Sequence, residues 1–312
     1  MTMTILTAIL ATAVTAGTPL LFAALGEILT ERAGILNLGV EGMMLVGAVS
    51  GFASAYYTGN PWLGVAVAMV AGGLMALIHA FLSVTMRANQ VVSGLALTMF
   101  GTGLSSYLGK VWGVVGNPFP NHFRPVQVPG LAEIPLLGQV LFHQDVLVLA
   151  SFVLAAGIWF LLYRTRTGMN LRAVGENPAA ADSLGINVFA LRYLFTIAGG
   201  MLAGLAGAYF SLAYVPTWME NITAGRGWIA VALVIFATWN PAYAVIGAYS
   251  FGGIDALGFR LQALDIAIPS YFLKMLPYLA TVLVLVLVSK RNLLARIGAP
   301  GALGLPYDRE ER

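Results

Sequence analysis

Charged and amide side chains interrupt an apolar sequence close to the start of the chain. Residues 26–47 read GEILTERAGILNLGVEGMMLVG and contain four charged side chains and five glycines. In hydrocarbon an unpaired charge or an unsatisfied backbone group is costly, so such a break persists only against other protein or beside a water-filled path. The polar residues of this segment are therefore candidates for a transport pathway: Glu27, Glu31, Arg32, Asn37 and Glu41.

The composition indicates a membrane protein. Of the 312 residues, 59% are hydrophobic and 9% are charged, and the mean hydropathy is +0.85. A soluble domain of this size would need far more polar surface, so we expect a multi-pass protein of the cell (inner) membrane. The apolar N-terminus lacks a basic leader and is interpreted as a retained first span rather than a signal peptide. The chain has no cysteine, which excludes disulfides, thiolate metal sites and cysteine nucleophiles.

The apolar stretches predict an all-α, polytopic bundle of about nine spans, some of them discontinuous. A helix needs about 20 residues to cross a hydrocarbon core of about 30 Å. All 312 residues are expected to form one transmembrane domain. The predicted spans are 4–25, 43–58, 62–85, 91–109, 145–163, 190–214, 227–238, 242–262 and 271–289. Small residues that would let helices approach closely in lipid are Gly199, Gly200, Gly204 and Gly207.

Three longer polar segments connect or follow the spans. They are a loop at 110–144, a loop at 164–189 and a tail at 290–312. One side of the membrane is assigned residues 26–42, 86–90, 164–192 and the tail. With this assignment, that side carries eleven Lys or Arg residues and the other side carries five. The positive-inside rule then places the N-terminus outside, the 110–144 loop outside and the C-terminus in the cytoplasm. The net charge of +3 is assigned to this topology, and no nucleic-acid partner is expected.

Glycine or proline interrupts an apolar segment in each half of the chain. The interruptions lie in 17–42 and in 225–253, the second at the Trp-Asn-Pro sequence that begins at Trp239. Discontinuous helices in corresponding halves point to a central site between them. Alternatively, Pro19 and Pro241 simply end two ordinary helices, and the sequence does not decide between the two interpretations.

The 164–189 loop contains a helix signal. Residues 172–188 read RAVGENPAAADSLGINV. Asn177 suits the N-cap, Pro178 the first helical position and Gly185 the left-handed residue after the last turn, which predicts a helix at 178–184. So short a helix is unstable alone, so it must dock on the protein's own loops or on a partner. The length of the loop favours a partner.

The same loop resembles the coupling loop of ATP-binding-cassette (ABC) importer permeases. Their pattern Glu-Ala-Ala-x-x-x-Gly is met at 179–185, with alanine in place of the Glu. TERAGILNLGVEGMMLVGA (30–48) and RANQVVSGLAL (87–97) are similar to the permease branch for branched-chain amino acids, simple sugars and nucleosides. The Asn-Leu-Gly-Val-Glu-Gly run at 37–42 is most similar to the nucleoside and simple-sugar members. The likeness extends from about residue 15 to 295.

The resemblance implies a permease subunit that is not itself an enzyme and has no catalytic, cofactor or metal site. ATP and Mg²⁺ would be used by a separate ABC ATPase subunit. A homologous second permease, giving a heterodimer, an extracytoplasmic solute-binding protein and membrane lipid would be the other partners. The residues expected to contact the ATPase are Glu176, Asn177, Pro178, Ala179, Ala180, Ala181, Asp182, Ser183, Leu184 and Gly185.

A nucleoside or simple sugar would suit a path lined by amides, hydroxyls, a carboxylate and an aromatic ring. The predicted path residues are Asn37, Glu41, Ser93, Thr98, Trp239 and Asn240. If 37–41 is helical, Asn37 and Glu41 share one face, which looks at the path or at a partner helix. The other interpretation is that this stretch is a solvated cytoplasmic loop in which neither side chain matters.

Two other functional classes are weighed against the permease. The chain has no G-x-x-x-x-G-K-[ST] phosphate loop, so the energy must come from elsewhere. An ion- or proton-coupled secondary transporter would use Glu41, Glu27 and Arg32 as coupling groups, but it does not explain the docked cytoplasmic helix. A purely structural subunit does not explain the polar residues in the broken span. His79, inside a span, is interpreted as a hydrogen-bonded packing residue.

Overall fold

The structure is a computed structural model and describes residues 2–127, 129, 130, 132, 134, 135, 137–263, 270–289 and 298–310. Its described part is dominated by α-helices. Their bounds are α1 Thr2–Arg32, α2 Val40–Thr58, α3 Pro61–Ala80, α4 Gln90–Val111, α5 Leu137–Leu141, α6 Val146–Arg164, α7 Arg166–Glu176, α8 Pro178–Ser183, α9 Val188–Tyr209, α10 Arg226–Phe236, α11 Pro241–Ala263 and α12 Ser270–Ser289. π-Helical turns extend α3 through Phe81–Thr85 and α9 through Phe210–Tyr214.

Five helical segments in the described part of the chain are long and apolar enough to cross a membrane. They are Leu6–Arg32, Pro61–Thr85, Gln90–Val111, Val146–Arg164 and Val188–Tyr214. This confirms the helical, multi-pass class. Helices α2, α11 and α12 coincide in position with three further predicted spans. The total of nine spans and the orientation of the termini stay predictions.

The prediction that the first span ends at residue 25 is wrong. Helix α1 continues without a break through Pro19 to Arg32, so Glu27 and Glu31 lie on a helix. The physical reason is that both carboxylates are buried where other parts of the protein donate hydrogen bonds to them. The backbone therefore has no need to leave the helix, and proline is tolerated inside membrane helices when its surroundings satisfy the freed backbone groups.

Two non-helical segments lie at the predicted interruptions. The first break is residues 33–39, between α1 and α2, and the second break is residues 237–240, between α10 and α11. Helix α10 ends at Phe236 and α11 begins at Pro241, so the chain leaves the helix at Trp239 as expected, and the choice between one discontinuous helix and two ordinary helices stays a prediction. Thr238 and Trp239 have positive φ angles of 52° and 54°, which bulky side chains adopt only when the surroundings hold them there. The interruption expected in 17–42 exists, but it follows Arg32 and is not caused by Pro19.

The polar loops contain more structure than the sequence predicts. In the 110–144 loop, α5 is a short helix, and strands β1 Val126–Gln127 and β2 His143–Gln144 pair antiparallel with Val126 opposite Gln144. In the 164–189 loop, α7 was not predicted, because its polar composition hides an apolar side that packs through Leu171 and Val174. The tail at 290–312 lies partly outside the described residues.

The centre of the bundle is built on small residues. Helix α9 packs against α1, α2 and α3, and α11 lies along α1. A Cβ added to Gly47 of α2 would lie 2.6 Å from the Cα of Gly204 in α9. Gly204 also faces the backbone of Ala68 in α3. Backbones in contact at this distance gain close van der Waals packing, which replaces the hydrophobic effect as the driving force between helices in lipid.

Replacing Gly204 by leucine should force α9 away from both α2 and α3. We expect the variant to lose about 1–3 kcal/mol of stability, the usual cost of overpacking, and to show a lower unfolding temperature in detergent. The matched control is Gly157→Leu in α6, an exposed helical glycine at which an added Cβ meets nothing within 4 Å. Equal unfolding temperatures for the two variants would contradict this account of the core.

Candidate functional site

The cytoplasmic end of α1, as oriented by the sequence prediction, contacts both breaks. Glu27 and Glu31 lie one helical turn apart and are 1% and 2% exposed. Glu27 Oε1 accepts a hydrogen bond from the backbone N–H of Asn37 in the first break, at 3.1 Å. Glu31 accepts a hydrogen bond from the indole N–H of Trp239 in the second break. Consecutive turns of one helix therefore hold the two irregular segments in place.

Arg32 completes this junction. Its guanidinium donates two hydrogen bonds, of 3.3 and 3.2 Å, to the carbonyl oxygen of Trp239 and one, of 3.1 Å, to the carbonyl oxygen of Gly298. A carbonyl that has left a helix needs a donor when it is buried, and a guanidinium has five. The last residue of α1 thus stabilises the second break and fixes the start of the described tail.

Glu41 caps a helix that is distant in sequence. It is 4% exposed, and its carboxylate accepts hydrogen bonds from Thr223 Oγ1 at 2.5 Å, from Gly225 N at 2.8 Å and from Gly227 N at 2.6 Å. The two backbone groups belong to the N-terminal end of α10, where the helix dipole also stabilises a negative charge. The carboxylate therefore satisfies the start of a short apolar helix that has no side-chain cap of its own.

Asn37 and Glu41 do not share a helical face, because α2 begins at Val40 and Asn37 lies in the first break. The side-chain oxygen of Asn37 accepts a hydrogen bond of 2.9 Å from Gly39 N and shapes the turn into α2. Asn37 is 1% exposed, so burial contradicts the solvated-loop interpretation for both side chains. Whether either residue touches a transported solute stays a prediction.

Side chains from two neighbouring helices bind carbonyl oxygens of the first break. His79 binds the carbonyl oxygen of Leu36 through Nε2, at 3.1 Å, and Ser93 through Nδ1, at 3.0 Å. Thr98 donates a hydrogen bond of 2.8 Å to the carbonyl oxygen of Leu38. The interpretation of His79 as a hydrogen-bonded packing residue is thereby confirmed.

Sequence reasoning missed two residues of this arrangement, Gln90 and Thr223. Gln90 Oε1 accepts a hydrogen bond of 2.7 Å from the backbone N–H of Leu36, and Thr223 is one of the donors to Glu41. Gln90 could have been found from the sequence, because it lies inside the 87–97 segment that resembles the permease family. Among the predicted path residues, Asn37, Ser93 and Thr98 meet at the first break. Trp239 and Asn240 form the second, where Asn240 caps α11 through Ala242 N.

The predicted cytoplasmic helix is present as α8. Asn177 Oδ1 accepts a hydrogen bond of 3.0 Å from Ala180 N, Pro178 is the first helical residue and Gly185 has a φ of +82°. The N-cap, start and stop signals are thus confirmed, although the helix ends at Ser183 rather than at residue 184.

The two sides of α8 differ in what covers them. Ala181 and Asp182 are buried, at 2% and 9% exposure, against the chain's own tail. The carboxylate of Asp182 raises the pKa of the Arg309 guanidinium above its ordinary value, which favours the charged form. Leu184 is 80% exposed. The other exposed residues here are Glu176, Asn177, Ala179, Ala180, Ser183 and Gly185. One side is therefore docked on the protein itself and the other is open.

A bundle of long apolar helices whose irregular breaks are held by charged side chains is the architecture of a multi-pass, membrane-embedded subunit. The sequence model of the family described as branched-chain amino acid transport system permease component matches residues 9–288. The chain belongs to this family of ABC transporter permeases.

Several relatives match the chain over nearly its whole length, and two of them show the similarity well. A protein of Haloferax volcanii, named provisionally as a glucose ABC transporter permease, is 42% identical over 95% of this chain and 96% of its own length. The guanosine ABC transporter permease NupQ of Bacillus subtilis is 35% identical over 94% of each chain. Each organism has a second permease with the same named solute, and these match at 30% and 23% identity.

Among solved structures, one ABC transporter chain illustrates the shared fold. It is described as an inward-facing conformation of a metal-chelate type ABC transporter, an assignment given there as provisional. The TM-score is 0.52 at 16% sequence identity, with 89% of this chain and 84% of that chain covered. At this identity the likeness shows the fold of the membrane domain alone.

Variants of Glu41 distinguish a helix-capping role of this residue from a role in lining the solute path. We expect Glu41→Ala to lower the unfolding temperature markedly, because it leaves two backbone N–H groups and a hydroxyl without their acceptor, at about 1–3 kcal/mol per buried group. Glu41→Gln should be intermediate, since an amide keeps one acceptor oxygen and loses the charge. The control Thr223→Val should have the smallest effect, because the carboxylate keeps both N–H donors. Reduced solute uptake with an unchanged unfolding temperature in Glu41→Ala would contradict the capping role.

Proposed function

We propose that this permease imports a nucleoside or a simple sugar, driven by a separate ATPase subunit that binds the open side of α8. The observation that carries the proposal is α8 itself: a helix with defined N-cap and stop residues whose outer side, with Leu184 80% exposed, is left uncovered in a chain of the ABC permease family. A helix that exposes a leucine beside small side chains could dock in an apolar groove of a partner.

The solute follows from the relatives and from the chemistry of the breaks. The matched proteins are named for glucose and guanosine, both uncharged solutes with several hydroxyl groups. The breaks place amide, hydroxyl and carboxylate groups among apolar helices, which suits such solutes. Most of these groups are already bonded within the protein, so in this proposal they shape and move the path, and a solute-binding protein outside the membrane supplies much of the selectivity.

A second permease completes the path, and a homologous chain is the favoured partner. The support is that two organisms each contain a pair of permeases with the same named solute, and that both members of each pair match this chain. Transport then follows alternating access: closure of the ATPases moves the α8 helices, and the two permeases open or close around the solute.

Leu184→Asp tests the ATPase contact. A carboxylate at an apolar contact has to be desolvated, so we expect binding of the co-expressed native ATPase to weaken at least about tenfold, or about 1.4 kcal/mol, and solute-stimulated ATP hydrolysis to fall with it. Binding would be measured by co-purification and titration in detergent. The amount of permease in the membrane should not change, because the side chain is 80% exposed.

The matched control is Val115→Asp, which introduces the same charge at an exposed aliphatic residue of the 110–144 loop, on the side predicted to face away from the ATPase. It should leave ATPase binding unchanged. Normal ATPase binding by Leu184→Asp, or an equal loss in both variants, would overturn the assignment of α8 as the contact.

A further inference from the structure

The described tail, residues 298–310, crosses the predicted cytoplasmic side of the bundle and bonds to one element after another. Ala302 N donates a hydrogen bond of 2.9 Å to the carbonyl oxygen of Gly175 in α7, and Gly304 N donates one of 3.2 Å to the carbonyl oxygen of Gly34 in the first break. Arg192 of α9 donates a hydrogen bond of 3.3 Å to the carbonyl oxygen of Leu305. The tail therefore adheres to parts of the chain that are far apart in sequence.

The tail ends on α8. Asp182 Oδ2 accepts hydrogen bonds from Tyr307 Oη at 3.0 Å and from Arg309 Nε at 2.8 Å, and Asp182 Oδ1 accepts from Arg309 Nη2 at 2.5 Å. The two contacts to the guanidinium form a bidentate pair, which fixes direction as well as distance. The side chain of Asp182 is 4% exposed while that of Arg309 is 62% exposed, so geometry matters more here than net Coulomb energy.

An apolar contact lies beneath these bonds. Tyr307 is 7% exposed and packs with Val174 of α7, Ala181 of α8 and Val188 of α9. Its ring centroid is 5.8 Å from that of Phe189. Four segments of the chain thus meet in one small cluster, separate from the main core of the bundle.

The same tail is bonded to the junction at the end of α1. Arg32 holds the carbonyl oxygens of both Gly298 and Trp239, and Gly304 is bonded to the first break. A displacement of α8 that keeps the bonds of Asp182 must therefore displace the tail, and through it the residues that hold both breaks.

We propose that residues 298–310 form an intramolecular clasp that positions α8 and transmits its movement to the junction at the end of α1, with Asp182, Tyr307 and Arg309 as the positioning residues. This inference rests on the proposed function, because it assigns the route between the ATPase contact and the membrane breaks. In this proposal the clasp contacts neither solute nor ATP, so its loss should change the efficiency of coupling before it changes binding.

The test compares Asp182→Asn, Arg309→Gln and the double variant in the complete transporter, purified with its native ATPase and binding protein and reconstituted in vesicles. The readout is solute imported per ATP hydrolysed. Each single variant should lower this ratio at least about fivefold, the lower end of typical coupling between sites, with the ATPase still co-purifying. The double variant should be no worse than either single one, because both changes break the same bond. Glu310→Gln, next to Arg309 on the exposed end of the tail, is the control and should keep the normal ratio.

Three results would overturn the clasp. They are an unchanged ratio in both single variants, additive losses in the double variant, and a loss of assembled complex with an unchanged ratio in what remains. Hydrogen exchange of the α8 amides gives a second readout that does not depend on transport. It should be faster in Arg309→Gln than in Glu310→Gln, and equal exchange counts against the clasp.

If Leu184→Asp weakens ATPase binding while Asp182→Asn leaves coupling unchanged, the clasp fails and the proposed function stands. If Leu184→Asp has no effect, the proposed function fails.

Discussion

Every backbone N–H and C=O inside a membrane protein must find a partner within the protein, and the structure of this permease depends on how its two breaks meet that requirement. Each break frees several backbone groups that a continuous helix would have bonded. Side chains bind these groups instead: Glu27 and His79 at the first break and Arg32 at the second, where Glu31 also accepts a hydrogen bond from the indole N–H of Trp239. The charged residues of the opening segment therefore help to stabilise both breaks.

This arrangement joins the parts of the chain that would move together in the proposed transport mechanism. One turn of α1 contacts both breaks, Glu41 fixes the start of α10, and Arg32 reaches the tail that also holds α8. Packed cores of glycine against backbone are stiff, so in the proposed mechanism a displacement of α8 would be transmitted along whole helices rather than absorbed locally.

Local signals predicted the local structure well, and distant contacts were not accessible from them. The N-cap of α8, the break at Trp239 and the close approach of α9 through its glycines follow from residue types at neighbouring positions. The continuation of α1 past residue 25 could not be predicted, because the donors to its two carboxylates lie 10 and 208 residues away. For the same reason Glu41 was paired with Asn37, four residues away, while its actual partners are Thr223 and the start of α10.

We propose that a partner ATPase supplies the energy and that this chain converts it into movement of the solute path. The most direct measurement is uptake of radiolabelled guanosine or glucose by vesicles containing the permease, its native ATPase and its binding protein, with ATP supplied on the ATPase side. The account predicts uptake that requires ATP hydrolysis and is unchanged when an uncoupler and an ionophore collapse the proton and sodium gradients. Uptake that proceeds without ATP and disappears with the gradients would contradict it.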